Sequence, residues 1–122
     1  MKTILVVDDS TTMRRLIIYS LKAADYEVIE AVDGKDALEK LAKNQVDLLL
    51  TDLHMPNMNG LELTKEVRNS AKHKYIPILV LTTESHLSSK EEGKSLGVTG
   101  WFVKPFEPEL LIKAVKHVLP GA

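Results

Sequence analysis

Cysteine is absent from this chain of 122 residues. Its absence excludes disulfide bonds, thiolate metal sites and cysteine nucleophiles. The chain also lacks an excess of charge of either sign, because its formal net charge is −1 at pH 7. That balance argues against a nucleic-acid-binding protein that works through bulk positive charge, and we expect no nucleic-acid partner.

Long hydrophobic runs are absent as well. No apolar stretch reaches the length of a membrane span, and the apolar run Ile4–Val7 is too short for the core of a signal peptide. We therefore expect no membrane insertion and a cytoplasmic location. The length allows one domain and not two, and a domain of this size buries roughly two thirds of its unfolded surface without a disulfide or a structural metal.

Short apolar runs alternate with amphipathic segments along the whole chain. The runs are Ile4–Val7, Val28–Ile29, Val46–Leu50, Ile76–Leu81 and Trp101–Val103. Most are continuous rather than alternating, which is typical of strands buried on both faces of a parallel sheet. The pattern predicts a doubly wound α/β fold of five βα units, with strand order 2-1-3-4-5 and helices on both faces.

The segments between the runs predict five helices. Ser10 and Asp33 suit the N-caps of the first two helices, and Pro108 suits the first turn of the last. Leu61–Val67 predicts the third helix, whereas the polar stretch 86–96 predicts a loosely held fourth helix. The residues expected on the inner faces are Met13, Leu16, Ile17, Leu21 and Ala24, then Ala37, Leu38, Leu41 and Ala42, then Leu111, Ala114, Val115 and Val118.

Polar residues with distinctive chemistry follow four of the predicted strands. They are Asp8 and Asp9 after the first, Asp52 after the third, Thr82 at the fourth and Lys104 after the fifth. In an open parallel sheet these ends meet at one crevice. Clustered carboxylates repel unless a cation intervenes, and oxygen ligands favour Mg²⁺. The crevice therefore predicts a site for Mg²⁺ and a phosphoryl group, with the ammonium and the hydroxyl stabilising the phosphoryl oxygens.

Four longer motifs surround these residues: Val7-Asp8-Asp9-Ser10, Asp52-Leu53-His54-Met55-Pro56-Asn57-Met58-Asn59-Gly60, Leu81-Thr82-Thr83-Glu84 and Val103-Lys104-Pro105-Phe106. Over the whole chain they resemble the receiver domain of two-component response regulators. Within that family, 10–15, 82–85 and 100–104 resemble the stand-alone chemotaxis regulators. The resemblance implies a single receiver domain over residues 1–122 with no effector domain.

The resemblance also implies roles at the metal and phosphorylation site. Asp52 is the expected phosphoacceptor, and Mg²⁺ is expected on Asp8, Asp9, Asp52 and the backbone carbonyl of His54. The Lys104 ammonium is expected to pair with the phosphoryl oxygens. The Lys104-Pro105 peptide bond is expected to be cis.

Two further pairs of roles follow from the resemblance. Thr82 and Trp101 are expected to form a switch that reshapes the surface of the fourth helix, fifth strand and fifth helix. His54 and Glu84 are expected to tune hydrolysis of the acyl phosphate. His54 stands where motor-directed relatives often carry Asn, so the lifetime of the acyl phosphate stays open.

The partners implied are a histidine kinase of the chemotaxis type, the flagellar motor switch protein and a phosphatase, and we expect a monomer. On this interpretation the chain is a phosphoacceptor and not a multiple-turnover enzyme. Trp101 is open to a second interpretation as a packing anchor. The polar fourth helix is either a solvated face or a mobile output element, and Leu110 and Ile112 are either incidental or part of a partner surface.

Three other functions compete with motor control. A phosphate sink or a phosphorelay intermediate would use the same chemistry without motor binding. An aspartyl-phosphate phosphatase of the haloacid dehalogenase type needs a second Asp two residues after its nucleophile, which Asp8-Asp9-Ser10 does not provide. A flavodoxin-like flavin binder shares the topology, but Asp8 and Asp9 would repel its phosphate.

Overall fold

The computed structural model describes residues 1–83, 86–105 and 107–119. Within these ranges the strands are β1 (Thr3–Val7), β2 (Glu27–Ala31), β3 (Leu48–Thr51), β4 (Ile78–Thr82) and β5 (Gly100–Val103). The helices are α1 (Thr11–Ala23), α2 (Gly34–Lys43), α3 (Gly60–Arg68), α4 (Leu87–Leu96) and α5 (Pro108–Val118). The strands form one parallel sheet of order β2-β1-β3-β4-β5, which confirms the predicted fold class.

Side chains that alternate along the central strands build a core on each face of the sheet. On β1, Ile4 and Val6 face the core that includes Ile17 of α1 and Val115 of α5. Their neighbours Leu5 and Val7 face the opposite core, under α2 and α3. Since β1, β3 and β4 are buried on both faces, their sequences are apolar apart from one terminal threonine in each.

The helix starts follow the predicted capping chemistry. The Ser10 hydroxyl accepts a hydrogen bond from the Met13 amide at 3.3 Å, and the Asp33 carboxylate accepts one from the Asp36 amide at 2.8 Å. Pro108 begins α5 as expected. These caps matter for function because α1 and α2 both begin at the carboxyl edge of the sheet, where the polar residues collect.

Two expected inner-face residues are exposed instead. Leu16 is 52% exposed and Ala42 is exposed, because each lies about 100° around its helix from the buried Ile17 or Leu41 and so outside the packed stripe. Two strand starts also differ from prediction. Val46 and Ile76 are apolar but lie before β3 and β4, where they pack under the second core.

The polar fourth helix exists but is attached through little apolar surface. Its first residue, Leu87, is 68% exposed, and α4 buries Gly93 against the ring of Trp101. A Cβ on Gly93 would lie 3.0 Å from the Trp101 ring, so this glycine allows the helix to approach β5 closely. The helix is present where the sequence predicted it, and its loose attachment stays a prediction.

A buried histidine joins two connections at the amino edge of the sheet, opposite the polar residues. His73 lies between α3 and β4, and its Nε2 accepts a hydrogen bond from the Val46 amide at 3.2 Å, in the connection before β3. Only a neutral imidazole can accept that bond. Burial is the largest cause that lowers the His73 pKa, and the nearby charge of Lys72 lowers it further.

We predict that His73 makes the fold less stable in mild acid. As pH falls through 6.5 the unfolded chain binds a proton on this histidine while the folded chain does not, so the free energy of unfolding decreases. Between pH 7.5 and 5.5, wild type should lose about 1 kcal/mol more than His73→Gln in urea unfolding. Gln retains an acceptor for the Val46 amide.

Ala71→Gln is the control, because Ala71 is exposed two residues before His73 and carries no titratable group. It should show the wild-type pH dependence. Equal pH dependence in His73→Gln and wild type would contradict a neutral buried His73.

Candidate functional site

Two neighbouring strands place two carboxylates side by side. Val7 and Thr51 are partners in the β1–β3 register, so the residues that follow them, Asp8 and Asp52, emerge together at the carboxyl edge. The Asp52 amide donates to the Val7 carbonyl at 2.9 Å and continues the ladder into the site. Asp9 joins them, and one carboxylate oxygen from each of the three lies within 4.8 Å of the others.

The three aspartates differ in solvent exposure. Asp8 is 1% exposed, Asp52 is half-buried and Asp9 is exposed. A small ligand can therefore reach the carboxylates from solvent on the Asp9 side. Such a set of oxygen donors fits a hard divalent cation.

Lys104 bridges the two inner carboxylates. Its Nζ lies 3.1 Å from Asp8 Oδ2 and 3.0 Å from Asp52 Oδ2. The second oxygen of each carboxylate accepts a backbone hydrogen bond, Asp8 Oδ1 from the Ser10 amide at 2.8 Å and Asp52 Oδ1 from the Leu53 amide at 2.6 Å. Both carboxylates are thus held in fixed orientations by one ammonium and two backbone amides.

Burial and neighbouring charges have opposite effects on the pKa of Asp8, and also on the pKa of Lys104. Burial raises the pKa of Asp8, and the hydrogen bonds from Ser10 and Lys104 offset only part of that effect. Burial alone would lower the pKa of Lys104, but its hydrogen bonds to Asp52 and Asp8 outweigh burial and raise it. Lys104 is therefore charged at neutral pH, and its single positive charge does not balance a cluster of three carboxylates, which leaves charge for a further cation to neutralise.

Thr82 and Trp101 lie on the two strands between β3 and the sheet edge. Thr82 is fully buried at the end of β4, and its carbonyl accepts a hydrogen bond from the Lys104 amide at 2.7 Å. Trp101 pairs with Val80 in the β4–β5 register and is half-buried. A cavity of about 400 Å³ between α4 and β5 adjoins its side chain.

The loop that follows Asp52 is bonded to the start of α2 and closes tightly against its own beginning. His54 is exposed in this loop. The Asn57 side chain donates to Asp33 Oδ2 at 2.8 Å and connects the loop to the start of α2. At the far end, a Cβ on Gly60 would collide with the Asp52 carbonyl oxygen, so a glycine is required there.

One residue that contacts the site is not among the sequence-predicted set. Arg14 of α1 is buried, and its Nη1 donates to the Asp8 carbonyl at 2.7 Å. The signal was available, because Arg14 lies three residues before Ile17 and seven before Leu21 and so shares their buried stripe. A charged residue on a buried stripe needs a polar partner.

The structure brings Asp8, Asp9, Asp52, Lys104 and Thr82 to one edge, as the sequence predicted. The Lys104-Pro105 peptide bond is cis, which confirms that expectation. Glu84 and Phe106 lie outside the described residues.

Comparison with known proteins identifies this arrangement. A profile of the response regulator receiver domain matches residues 4–116. The chain belongs to this family. It is 45% identical over 118 residues to the chemotaxis protein CheY1 of Helicobacter pylori, covering 95% of each chain. It is 43% identical to a CheY homolog of Campylobacter jejuni, covering 95% of this chain and 91% of that protein.

Solved structures agree with that assignment. Chemotaxis protein CheY4 of Vibrio cholerae is 46% identical with a TM-score of 0.92, covering 97% of this chain and 98% of the other. The receiver domain of sensor histidine kinase PA1611 from Pseudomonas aeruginosa, whose structure is described with a magnesium ion in the active-site cleft, has the same fold. It is 24% identical with a TM-score of 0.89, covering 97% of each chain. Within the described residues no helix is long and apolar enough to cross a bilayer.

We predict that removing the bridging ammonium destabilises the site and frees it for metal. In EDTA, Lys104→Met should lower the free energy of unfolding by about 2 kcal/mol, since the Asp8 and Asp52 carboxylates lose their counter-ion. Added Mg²⁺ should restore stability, with a Kd roughly 10-fold lower than in wild type because no ammonium competes for the oxygens. Thermal unfolding with increasing Mg²⁺ measures both effects.

Lys113→Met serves as the control, because Lys113 is exposed on α5. It should leave both quantities unchanged. If Lys104→Met and Lys113→Met had the same free energy of unfolding in EDTA and the same Kd for Mg²⁺, the contacts of Lys104 with Asp8 and Asp52 would not stabilise the site.

Proposed function

We propose that this chain is a phosphorylation-controlled response regulator that accepts a phosphoryl group on Asp52 and signals through a protein partner. The observation that supports this most is how the Asp52 carboxylate is held and that solvent can reach it. One oxygen is held by the Leu53 amide, the other by Lys104, and the cluster opens to solvent beside Asp9. The donor of the phosphoryl group is a phosphohistidine on a histidine kinase.

The transfer is an in-line substitution at phosphorus. An Asp52 carboxylate oxygen attacks, a P–O bond forms, and the P–N bond to the kinase histidine breaks with its electron pair left on the imidazole. Lys104 is the cation placed to pair with the incoming phosphoryl oxygens, since its ammonium already contacts Asp52. The product is an acyl phosphate on Asp52.

The three carboxylates of Asp8, Asp9 and Asp52 fit a divalent cation, and the His54 backbone carbonyl is the fourth protein ligand that we propose. Mg²⁺ supplies positive charge that offsets the negative charge of the phosphoryl group and of the carboxylates. The magnesium ion described for the PA1611 receiver domain supports this choice of metal.

Loss of the phosphoryl group is governed by residues at the open side of the site. His54 is exposed two residues after Asp52, where its side chain can orient or block an attacking water. We propose that His54 and Glu84 set the lifetime of the acyl phosphate. The chain then catalyses its own phosphorylation and dephosphorylation and is not a multiple-turnover enzyme.

The output face is the surface of α4, β5 and α5. Three exposed apolar residues mark it: Leu87 on α4, Val103 on β5 and Leu110 on α5, at 68%, 47% and 57% exposure. Thr82 and Trp101 couple it to the site. The Thr82 carbonyl accepts a hydrogen bond from the Lys104 amide, and Trp101 lines the cavity between α4 and β5.

The partner that we propose is a flagellar motor switch protein, because the relatives named above are chemotaxis proteins that this chain matches over nearly their whole length. We further propose that residues 1–122 act as a single, monomeric receiver domain in the cytoplasm, with a phosphatase as an additional partner.

We predict that beryllofluoride, a phosphoryl mimic, tightens binding of the N-terminal peptide of a motor switch protein. Trp101 is the single tryptophan of the chain, so its fluorescence reports on the output face. In Mg²⁺ with beryllofluoride, the peptide Kd should fall about 10-fold relative to Mg²⁺ alone. Asp52→Asn should remove that difference because an amide has no carboxylate oxygen to bond the beryllium.

The other outcomes separate the alternatives. A fluorescence response to beryllofluoride without peptide binding would retain the receiver chemistry and favour a phosphate sink or relay. No response in wild type would reject Asp52 as the phosphoacceptor.

The output face has its own test at Leu110. Leu110→Ala should weaken peptide binding about 5-fold because it removes exposed apolar surface that the peptide covers. Val32→Ala is the matched control, since Val32 is 47% exposed beside β2, at the opposite edge of the sheet. Equal affinities for the two variants would place the binding surface elsewhere.

A further inference from the structure

Arg14 grips the turn that carries the two consecutive aspartates. Its guanidinium makes two separate contacts, Nη1 to the Asp8 carbonyl at 2.7 Å and Nε to Glu30 Oε1 at 2.8 Å. Arg14 is 8% exposed, and its partner Glu30 lies on the edge strand β2. The arginine therefore connects α1, the end of β1 and β2 at one point.

The carbonyl that Arg14 holds belongs to the peptide unit that leads into Asp9. A peptide unit is planar, so fixing the carbonyl oxygen of Asp8 also fixes the direction in which the chain enters Asp9. Asp8 has its own restraints, because its amide donates to the Ala31 carbonyl at 3.2 Å and its carboxylate accepts from Ser10. Asp9 is exposed, and its placement depends on this backbone.

The charge of Arg14 is balanced within its own ion pair. Glu30 lies within hydrogen-bond distance of the guanidinium, so the arginine does not face the acidic cluster as an uncompensated cation. Its influence on the site acts through the position of the Asp8–Asp9 peptide unit. Small displacements of a ligand-bearing backbone matter for Mg²⁺, which requires near-ideal octahedral geometry.

We propose that Arg14 is a positioning residue that sets the Mg²⁺ affinity of the site by fixing the Asp8–Asp9 peptide unit, and that Glu30 orients its guanidinium for this task. The inference rests on the proposed use of the acidic cluster as a Mg²⁺ site. It assigns a role in metal binding to a residue whose side chain bonds the Asp8 carbonyl and the Glu30 carboxylate.

The test is a calorimetric titration of Mg²⁺ into the full chain, with thermal unfolding in EDTA measured in parallel. Arg14→Lys keeps the charge but cannot hold both partners with a planar fork. Its Mg²⁺ Kd should rise about 10-fold, equal to about 1.4 kcal/mol. Glu30→Ala leaves Arg14 in place but removes its orienting partner, and its Kd should rise about 3-fold.

Arg68→Lys is the control, because Arg68 also holds backbone carbonyls, that of Gly97 at 2.6 Å and that of Ile76 at 2.7 Å, but these lie away from the Asp8–Asp9 turn. It should bind Mg²⁺ as wild type does. Backbone amide exchange at Asp9 and Ser10 adds a readout independent of metal, and it should accelerate in Arg14→Lys and Glu30→Ala alone.

Wild-type Mg²⁺ affinity in folded Arg14→Lys and Glu30→Ala, with unchanged exchange at Asp9, would overturn the role of Arg14. If Arg14→Lys does not fold, Glu30→Ala decides by the same two readouts, since Glu30 is largely exposed and its loss is tolerated more easily. A wild-type protein that takes up no Mg²⁺ is a different result, because it rejects the proposed metal site itself.

Discussion

The contact between Lys104 and the carboxylates of Asp8 and Asp52 is the interaction on which the site depends. Packing a buried carboxylate beside another costs free energy, because both lose hydration and repel each other. The ammonium at 3.0–3.1 Å from each of them offsets that cost and still leaves the cluster negative. The fold can therefore exist before any ligand binds and retains the charge that attracts one.

This arrangement requires the doubly wound sheet. Asp8 and Asp52 follow the adjacent strands β1 and β3, whereas Lys104 follows the edge strand β5, 96 residues after Asp8. Parallel strands bring all three to one edge because each crossover helix returns the chain to the same end. At the same end of the sheet the Lys104 amide donates a hydrogen bond to the Thr82 carbonyl, which joins the residue after β5 to the last residue of β4.

Much of the fold and of the site could be predicted from the sequence because both depend on short patterns of neighbouring residues. Continuous apolar runs separated by capped helices define the fold, and polar residues placed after the strands define the site. The exposure of Leu16 and Leu87 could not be predicted, since periodicity gives the centre of a helix stripe but not its width against a particular neighbour.

Two kinds of site information needed the structure. The bridging position of Lys104 depends on distances between distant strands, which residue types alone do not specify. The role of Arg14 depends on a side chain that bonds backbone, and such contacts leave no motif beyond a charge on a buried stripe.

Lys104 and Arg14 act on the site in different ways, Lys104 through its charge and Arg14 through its hydrogen bond to the backbone. Lys104 presents its ammonium to Asp8 and Asp52 from the β5 side, so any phosphoryl group or metal that arrives must rearrange that contact. Arg14 approaches from the opposite side, through α1, and is already neutralised by Glu30. It can therefore remain fixed while Lys104 changes partners. On the proposed function, Lys104 is thus the cation that can exchange its partners for a ligand, while Arg14 keeps the Asp8–Asp9 peptide unit in place.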